Sequence, residues 1–166
     1  MDLESISIKK LPPSRWKEFR ALRLEALKSE PTAFGSSYAE EKNLTEKEWK
    51  RRIKTALFAL ANGKPIGIIE YEFHKKIKVQ HIATLHSVYL NNAYRSKGIG
   101  IKLLKGTISV IKKNRKILRV DLSVNAKRLP AIKLYERNGF KVVGCERKVL
   151  KVDGKFYDFL LMEKFF

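Results

Sequence analysis

Six residues in the middle of the chain, Arg95-Ser96-Lys97-Gly98-Ile99-Gly100, carry the clearest chemistry in the sequence. They lie between an apolar run ending near Leu90 and a helical pattern starting near Gly98, so they form a turn that feeds a helix amino terminus. The first amides of a helix have no helical partner and its peptide dipoles add partial positive charge, which suits a diphosphate. Gly98 and Gly100 remove side chains that would block close approach, while Arg95 and Lys97 add charge. Two common phosphate motifs are excluded. A dinucleotide fingerprint needs a third glycine where Leu103 stands, with an acid about 20 residues further on; the P-loop pattern is absent. On the residues alone, a plain tight turn with a glycine pair remains the alternative.

The elements that must position this turn can be read from hydrophobic period and punctuation. A short strand over Ser5 to Lys9 precedes Pro12-Pro13, and Trp16, Phe19, Leu22, Leu24 and Leu27 give a helix over Ser14 to Lys28. Pro31 ends it, and Phe34-Gly35-Ser36-Ser37-Tyr38 reads as a loop. Thr45 with Glu48 forms a capping box opening a second helix that carries Trp49 and Ile53. Strands are expected over Leu57 to Ala61 and Pro65 to His74, joined at Asn62-Gly63, and over Lys78 to Leu90. A helix over Gly98 to Asn114 is followed by a buried strand over Ile117 to Val124. Pro130 suits a helix start and Asn138-Gly139 a helix stop. Two strands, Phe140 to Val152 and Lys155 to Phe165, close the chain around Asp153-Gly154. The order β-α-α-β-β-β-α-β-α-β-β predicts a mixed α/β sheet. No repeat or linker divides the chain, so one domain over residues 1 to 166 is expected.

A second cluster, Leu134-Tyr135-Glu136-Arg137-Asn138-Gly139-Phe140, ends a helix downstream of the strand Arg119 to Asn125. With both clusters in place, the sequence resembles the GNAT superfamily of acyl-CoA-dependent N-acetyltransferases, whose hallmarks are an R-x-x-G-x-G turn and an L-Y-E-x-x-G-F helix end. Arg23 to Leu27, Ala33 to Ser36 and Val152 to Asp158 look like one small bacterial branch of it. The resemblance implies a mostly antiparallel sheet flanked by helices and splayed between its fourth and fifth strands, with acetyl-CoA as co-substrate in the notch and no metal. Main-chain groups of Val88, Tyr89 and Leu90 would pair with the pantetheine arm, and the amides of Arg95, Ser96, Lys97, Gly98, Ile99 and Gly100 would hold the pyrophosphate. Arg137 or a nearby lysine would meet the 3′-phosphate, and Asn125 would contact the cofactor. Arg128 stands where relatives carry a cofactor-contacting Asn, and a guanidinium there could approach a phosphate instead.

In that setting an amine attacks the thioester directly. A leaving alkyl thiolate, with a thiol pKa of roughly 8.5, gains from a proton donor, and Tyr135 matches the tyrosine placed near the sulfur; its plain alternative is a core aromatic. A backbone amide near Val88 or Tyr89 could stabilise the oxyanion. Glu70, Glu72 and His86 are base candidates, each with a structural alternative as a surface carboxylate or packed histidine. Glu25, Phe34, Tyr38 and Tyr157 are expected near the acceptor, a small amine or a peptide N-terminus. Cys145 lies outside both clusters and is not read as an acyl carrier.

Charge bounds the remaining options. The chain has 36 Lys+Arg against 17 Asp+Glu, a net +19. Residues 1 to 73 hold 14 basic and 11 acidic side chains, whereas residues 74 to 166 hold 22 and 6. The +16 half contains both clusters, so part of its field can steer a polyanionic co-substrate. A catalytically silent CoA-binding protein and a basic nucleic-acid or ribosome-associated module are the rival readings. Nucleic acid is not the leading one, because basic residues interleaved with exposed aromatics are not evident in the sequence and no binding motif is present. No apolar run approaches the roughly 18 residues that would span a bilayer, and Met1 to Glu4 lack an export signal's basic-then-apolar order. A cytoplasmic protein is therefore expected, with no membrane partner and with a homodimer left open.

Overall fold

The computed structural model describes residues 5–166; the reading of Met1 to Glu4 lies outside them. Seven strands form one sheet: β1 (Ile6–Lys9), β2 (Ala56–Ala61), β3 (Lys64–Phe73), β4 (Ile82–Leu90), β5 (Arg119–Asn125), β6 (Lys141–Val152) and β7 (Lys155–Phe165). Their spatial order is β1-β2-β3-β4-β5-β7-β6, and every neighbouring pair is antiparallel except β4 with β5. Five α-helices accompany them among the described residues: α1 (Trp16–Ser29), α2 (Tyr38–Glu41), α3 (Glu46–Arg52), α4 (Ile99–Lys112) and α5 (Leu129–Arg137).

The sequence Ala56-Leu-Phe-Ala-Leu-Ala61 shows why the sheet is covered twice. All six residues of β2 are buried, and a strand's side chains alternate between faces. Leu57, Ala59 and Ala61 join the core under α4 and α5, while Ala56, Phe58 and Leu60 join the core under α1 and α3. The sheet therefore separates two apolar layers. Trp49 and Phe58 pack edge-on against Phe19 in the second layer, with ring centroids 5.1 and 5.6 Å away.

The expected elements are present with shifted ends. The Thr45–Glu48 capping box opens α3 as the sequence suggests. A second one, Ser37 with Glu40, turns part of the expected loop into α2; the short apolar content of Tyr38–Glu41 hid it. β4 starts at Ile82 rather than Lys78, because residues 77–79 form a 3-10 turn. Asn62-Gly63 and Asp153-Gly154 both take positive φ at the two turn positions, as type I′ hairpins require.

The parallel β4–β5 pair spans only Ile82–Thr84 against Arg119–Asp121. Beyond it β4 runs on along β3 and β5 along β7, without pairing to each other. This is the splay expected between the fourth and fifth strands.

Candidate active site

The notch between β4 and β5 is closed at one end and clamped at the other. At the closed end the Thr84 hydroxyl donates to Asp121 Oδ1 at 2.6 Å across the last paired residues, and His74 Nε2 lies 2.9 Å from the same hydroxyl. At the open end three segments meet at one carboxylate. Glu30, which caps α1, accepts from Arg95 beyond β4 and from Arg128, 2.7 Å away, at the start of α5. Two residues later Thr32 C=O accepts from Asn125 Nδ2 at 2.8 Å. The 30–32 segment thus straps the carboxyl ends of the diverging strands.

The wall of the notch is shaped by a bulge in β4. Glu70 pairs with His86 and Ile68 with Tyr89, so one residue of β3 faces two of β4. Ser87 takes φ 55° there. In a regular strand residues 86 and 89 would face opposite ways; the extra residue puts both on the α1–α3 side. The bulge also leaves main-chain groups at Ser87 and Val88 out of ladder register.

The turn after β4 has the form its sequence suggests. Ser96 has φ 61° and Gly98 has φ 75°, the latter capping α4. The first ladder bond runs from Lys102 N–H to Gly98 C=O, so the amides of Ile99, Gly100 and Ile101 precede the helical bonds. A side chain added at Gly98 would find open space, so the demand for glycine is conformational. These main-chain groups fit a diphosphate, with Lys97 exposed beside them.

Two expected cofactor contacts are occupied differently. The Arg95 side chain faces away from a turn-bound phosphate: Nε donates to Leu90 C=O at 2.8 Å and the guanidinium pairs with Glu30. Asn125 is spent on structure, since Nδ2 serves Thr32 and Oδ1 accepts from Lys127 N–H at 3.0 Å. Val88 and Leu90 pack against the α4–α5 core, whereas Tyr89 turns to the other side and donates to Glu25 at 2.8 Å. Arg137 is exposed near Lys105 and Lys164 on a shallow surface depression.

The three base candidates separate clearly. Glu70 is only 1% exposed, and both its oxygens accept from Arg52 at 2.9 and 2.6 Å. It belongs to a chain of largely buried ion pairs, Arg23–Glu41–Arg52–Glu70, whose members show no periodic spacing in the sequence. Arg23 is bidentate to Glu41, and Arg52 bridges Glu41 and Glu70. Burial raises the Glu41 pKa, but Arg23 and Arg52 outweigh it and bring it down to about 2. Both Glu70 oxygens are thereby held by Arg52. Glu72 is exposed, opposite Thr84. His86 is exposed on β4, with Nδ1 3.3 Å from Ser87 Oγ. Desolvation lowers its pKa, with Arg52 and Arg23 adding to the effect against Glu70 and Glu72.

Tyr135 is buried from the other face, edge-on to Phe140 at 5.8 Å. Burial pushes its phenol pKa up, so it keeps its proton throughout the physiological range. Of the expected acceptor residues, Phe34 lies buried under the Arg23 guanidinium and Tyr38 is half-buried with Lys28 over its ring. Glu25 is exposed and accepts from both Tyr89 and Asn91, and Tyr157 is half-buried beside Lys127.

The acetyltransferase (GNAT) family profile matches residues 17–140, which includes the notch, the turn and α5. The chain belongs to this family. The L-amino acid N-acetyltransferase AaaT of Escherichia coli is 22% identical over 108 residues, 65% of this chain and 66% of that protein. The uncharacterized N-acetyltransferase MJ1207 of Methanocaldococcus jannaschii is 30% identical over 92 residues. That match spans 54% of this chain but 38% of MJ1207, so the chain corresponds to well under half of that relative. A GNAT acetyltransferase structure from Streptococcus pneumoniae superposes with TM-score 0.86 at 26% identity, covering 98% of this chain and 100% of that one. The yncA acetyltransferase of Salmonella typhimurium, solved with acetyl-CoA, has the same fold as this GNAT chain at TM-score 0.83, with 15% identity and coverage of 97% and 94%.

Proposed function

We propose that this GNAT chain is an N-acetyltransferase that moves the acetyl group of acetyl-CoA to a primary amine, on a small molecule or a peptide N-terminus, by direct attack. One observation carries the reading. Strands β4 and β5 pair only at Ile82–Thr84 and Arg119–Asp121 and part beyond, with His86 on the α1–α3 side of β4, Tyr135 in the α4–α5 core and the left-handed Gly98 turn opening α4.

Acetyl-CoA supplies an activated thioester, and the chain's own groups divide the rest. The amides at the start of α4 hold the pyrophosphate, with Lys97 beside them and Arg137 serving the 3′-phosphate. Main-chain groups of Val88, Tyr89 and Leu90 align the pantetheine arm. Membership in the family and the acetyl-CoA in the yncA structure support this placement. His86 takes the proton from the acceptor amine, directly or through water, as the nitrogen bonds to the carbonyl carbon. A main-chain amide freed by the Ser87 bulge faces the developing oxyanion. The carbon–sulfur bond then breaks and Tyr135 protonates the leaving sulfur. The L-amino acid acceptor of AaaT supports a small amine as the first class to examine.

The experiment is a thermal melt with acetyl-CoA followed by a thiol-release screen over amino acids, polyamines, aminoglycosides and peptides. A raised melting temperature with thiol release by at least one amine is expected. A melt unchanged at millimolar acetyl-CoA would overturn the reading, and a raised melt without release from any amine would leave a silent acyl-CoA binder.

A further inference from the structure

The notch uses only part of the positive charge in residues 74–166. A small share of the remainder lies at the tip of the β6–β7 hairpin. From Lys141 to Lys155 five basic side chains face two acidic ones, Glu146 and Asp153. β6 is a sheet edge of 12 residues with almost no buried position. Its ladder with β7 breaks between Glu146 and Leu150, where Lys148 takes φ 52° and donates its N–H to Asp158 Oδ1 at 2.7 Å. This bulge and the Lys151–Phe156 pairing gather two cations around one ring. The ammonium groups of Lys148 and Lys151 lie 5.7 and 5.5 Å from the Phe156 centroid, and Phe156 is 52% exposed. The sequence hid this grouping because Lys148 and Phe156 are eight residues apart on different strands.

We propose that the Phe156–Lys148–Lys151 face binds single-stranded nucleic acid, a function separate from acetyl transfer. An unpaired base offers a flat face to stack on the ring, and its flanking phosphates meet the two ammonium groups. A duplex hides its base faces and gains only the charge term. A second copy fits poorly, since it would set the same basic edge against itself within a chain of net +19. A membrane fits poorly too, since sinking the ring among acyl chains would draw two ammonium groups within 6 Å of it out of water.

The test is fluorescence anisotropy of the full chain with a labelled 12-nucleotide uridine oligomer across a salt series. Binding at physiological salt is expected. Phe156→Ala should weaken it about tenfold while keeping the salt slope, the size expected for loss of one stacked base. The double variant Lys148→Ala/Lys151→Ala should flatten the slope by about 1.4, from two phosphate contacts on a single strand. All variants should keep the parent's melting temperature and its rise with acetyl-CoA, because these side chains are exposed and outside the notch. The proposal is overturned by no binding at physiological salt, by full affinity in Phe156→Ala, or by equal affinity for a duplex of the same length. It is also overturned by sedimentation of a dimer that Phe156→Ala dissociates, or by flotation with phosphatidylserine vesicles that needs Phe156 in the absence of oligomer binding. Because acetyl-CoA binding is read separately by the melt, failure here leaves the acetyltransferase reading intact.

Discussion

The two sides of the sheet meet at one notch but are built from different materials. On the α4–α5 side the recognition groups are mainly main-chain amides, set by a left-handed glycine and a helix start. On the α1–α3 side the groups are side chains joined to other side chains, Arg23, Glu41, Arg52 and Glu70 in one ion chain that ends opposite His86 in the sheet, and Glu30 with Arg95 and Arg128. On the proposed function, the difference fits the two ligands. Every acetyl-CoA carries the same phosphates, and amides in a fixed turn suffice for them. An acceptor amine is particular to each enzyme, and a surface made of side chains can change without disturbing the turn. It also makes the two sides fail differently: the turn through its backbone, the acceptor side through its buried charges.

The most severe way to break the comparison is His86→Gln. Loss of a general base is expected to lower kcat by about 10²- to 10⁴-fold, with little change in the acetyl-CoA-dependent melting rise. The sign of the pH effect follows from the lowered pKa: the base is inactive when protonated, so the ratio of parent to variant activity should fall in acid with a midpoint below 6.5. A ratio flat from pH 5 to 8 would remove His86 from the proton path.

Next comes Arg52→Ala. Removing one partner from a buried ion chain costs about 3–5 kcal/mol, and a domain of this size loses roughly 2–4 °C per kcal/mol, so a fall in melting temperature of about 10 °C is expected. The acetyl-CoA-dependent rise should persist in whatever folds. If that rise vanished while the fold stayed intact by circular dichroism, the two sides would not be separable.

Tyr135→Phe sharpens the contrast from the other face. It keeps the ring packing against Phe140 and deletes only the hydroxyl, so kcat should drop about tenfold or more with the acetyl-CoA KM nearly unchanged. Full activity would make the phenol a packing group.

The smallest change to the protein itself is Gly98→Ala. Left-handed φ costs a non-glycine residue about 1–2 kcal/mol, and the open space around Gly98 adds no clash. The folded chain should survive while acetyl-CoA raises its melting temperature less, and isothermal titration should show weaker binding. An unaltered Kd would mean the turn does not hold the phosphates.

Most of what can be read from residue order alone is local. The apolar run of β2, the Thr45–Glu48 box, the two hairpin turns and the Gly98 turn are each encoded within a few residues, because apolar patterning, capping and positive φ act over that range. They were enough to order the elements along the chain. What only the tertiary structure decided lies where distant segments converge. Glu30 has no motif around it, yet it sits between guanidiniums 65 and 98 positions further along the chain. Glu70, Glu72 and His86 look alike in sequence, but the fold places Arg52 on Glu70 and leaves Glu72 and His86 exposed. The bulge at Ser87, which turns Tyr89 to the side of His86, depends on register with β3. Ion pairing and register are set by long-range packing, and no short window of sequence contains both partners.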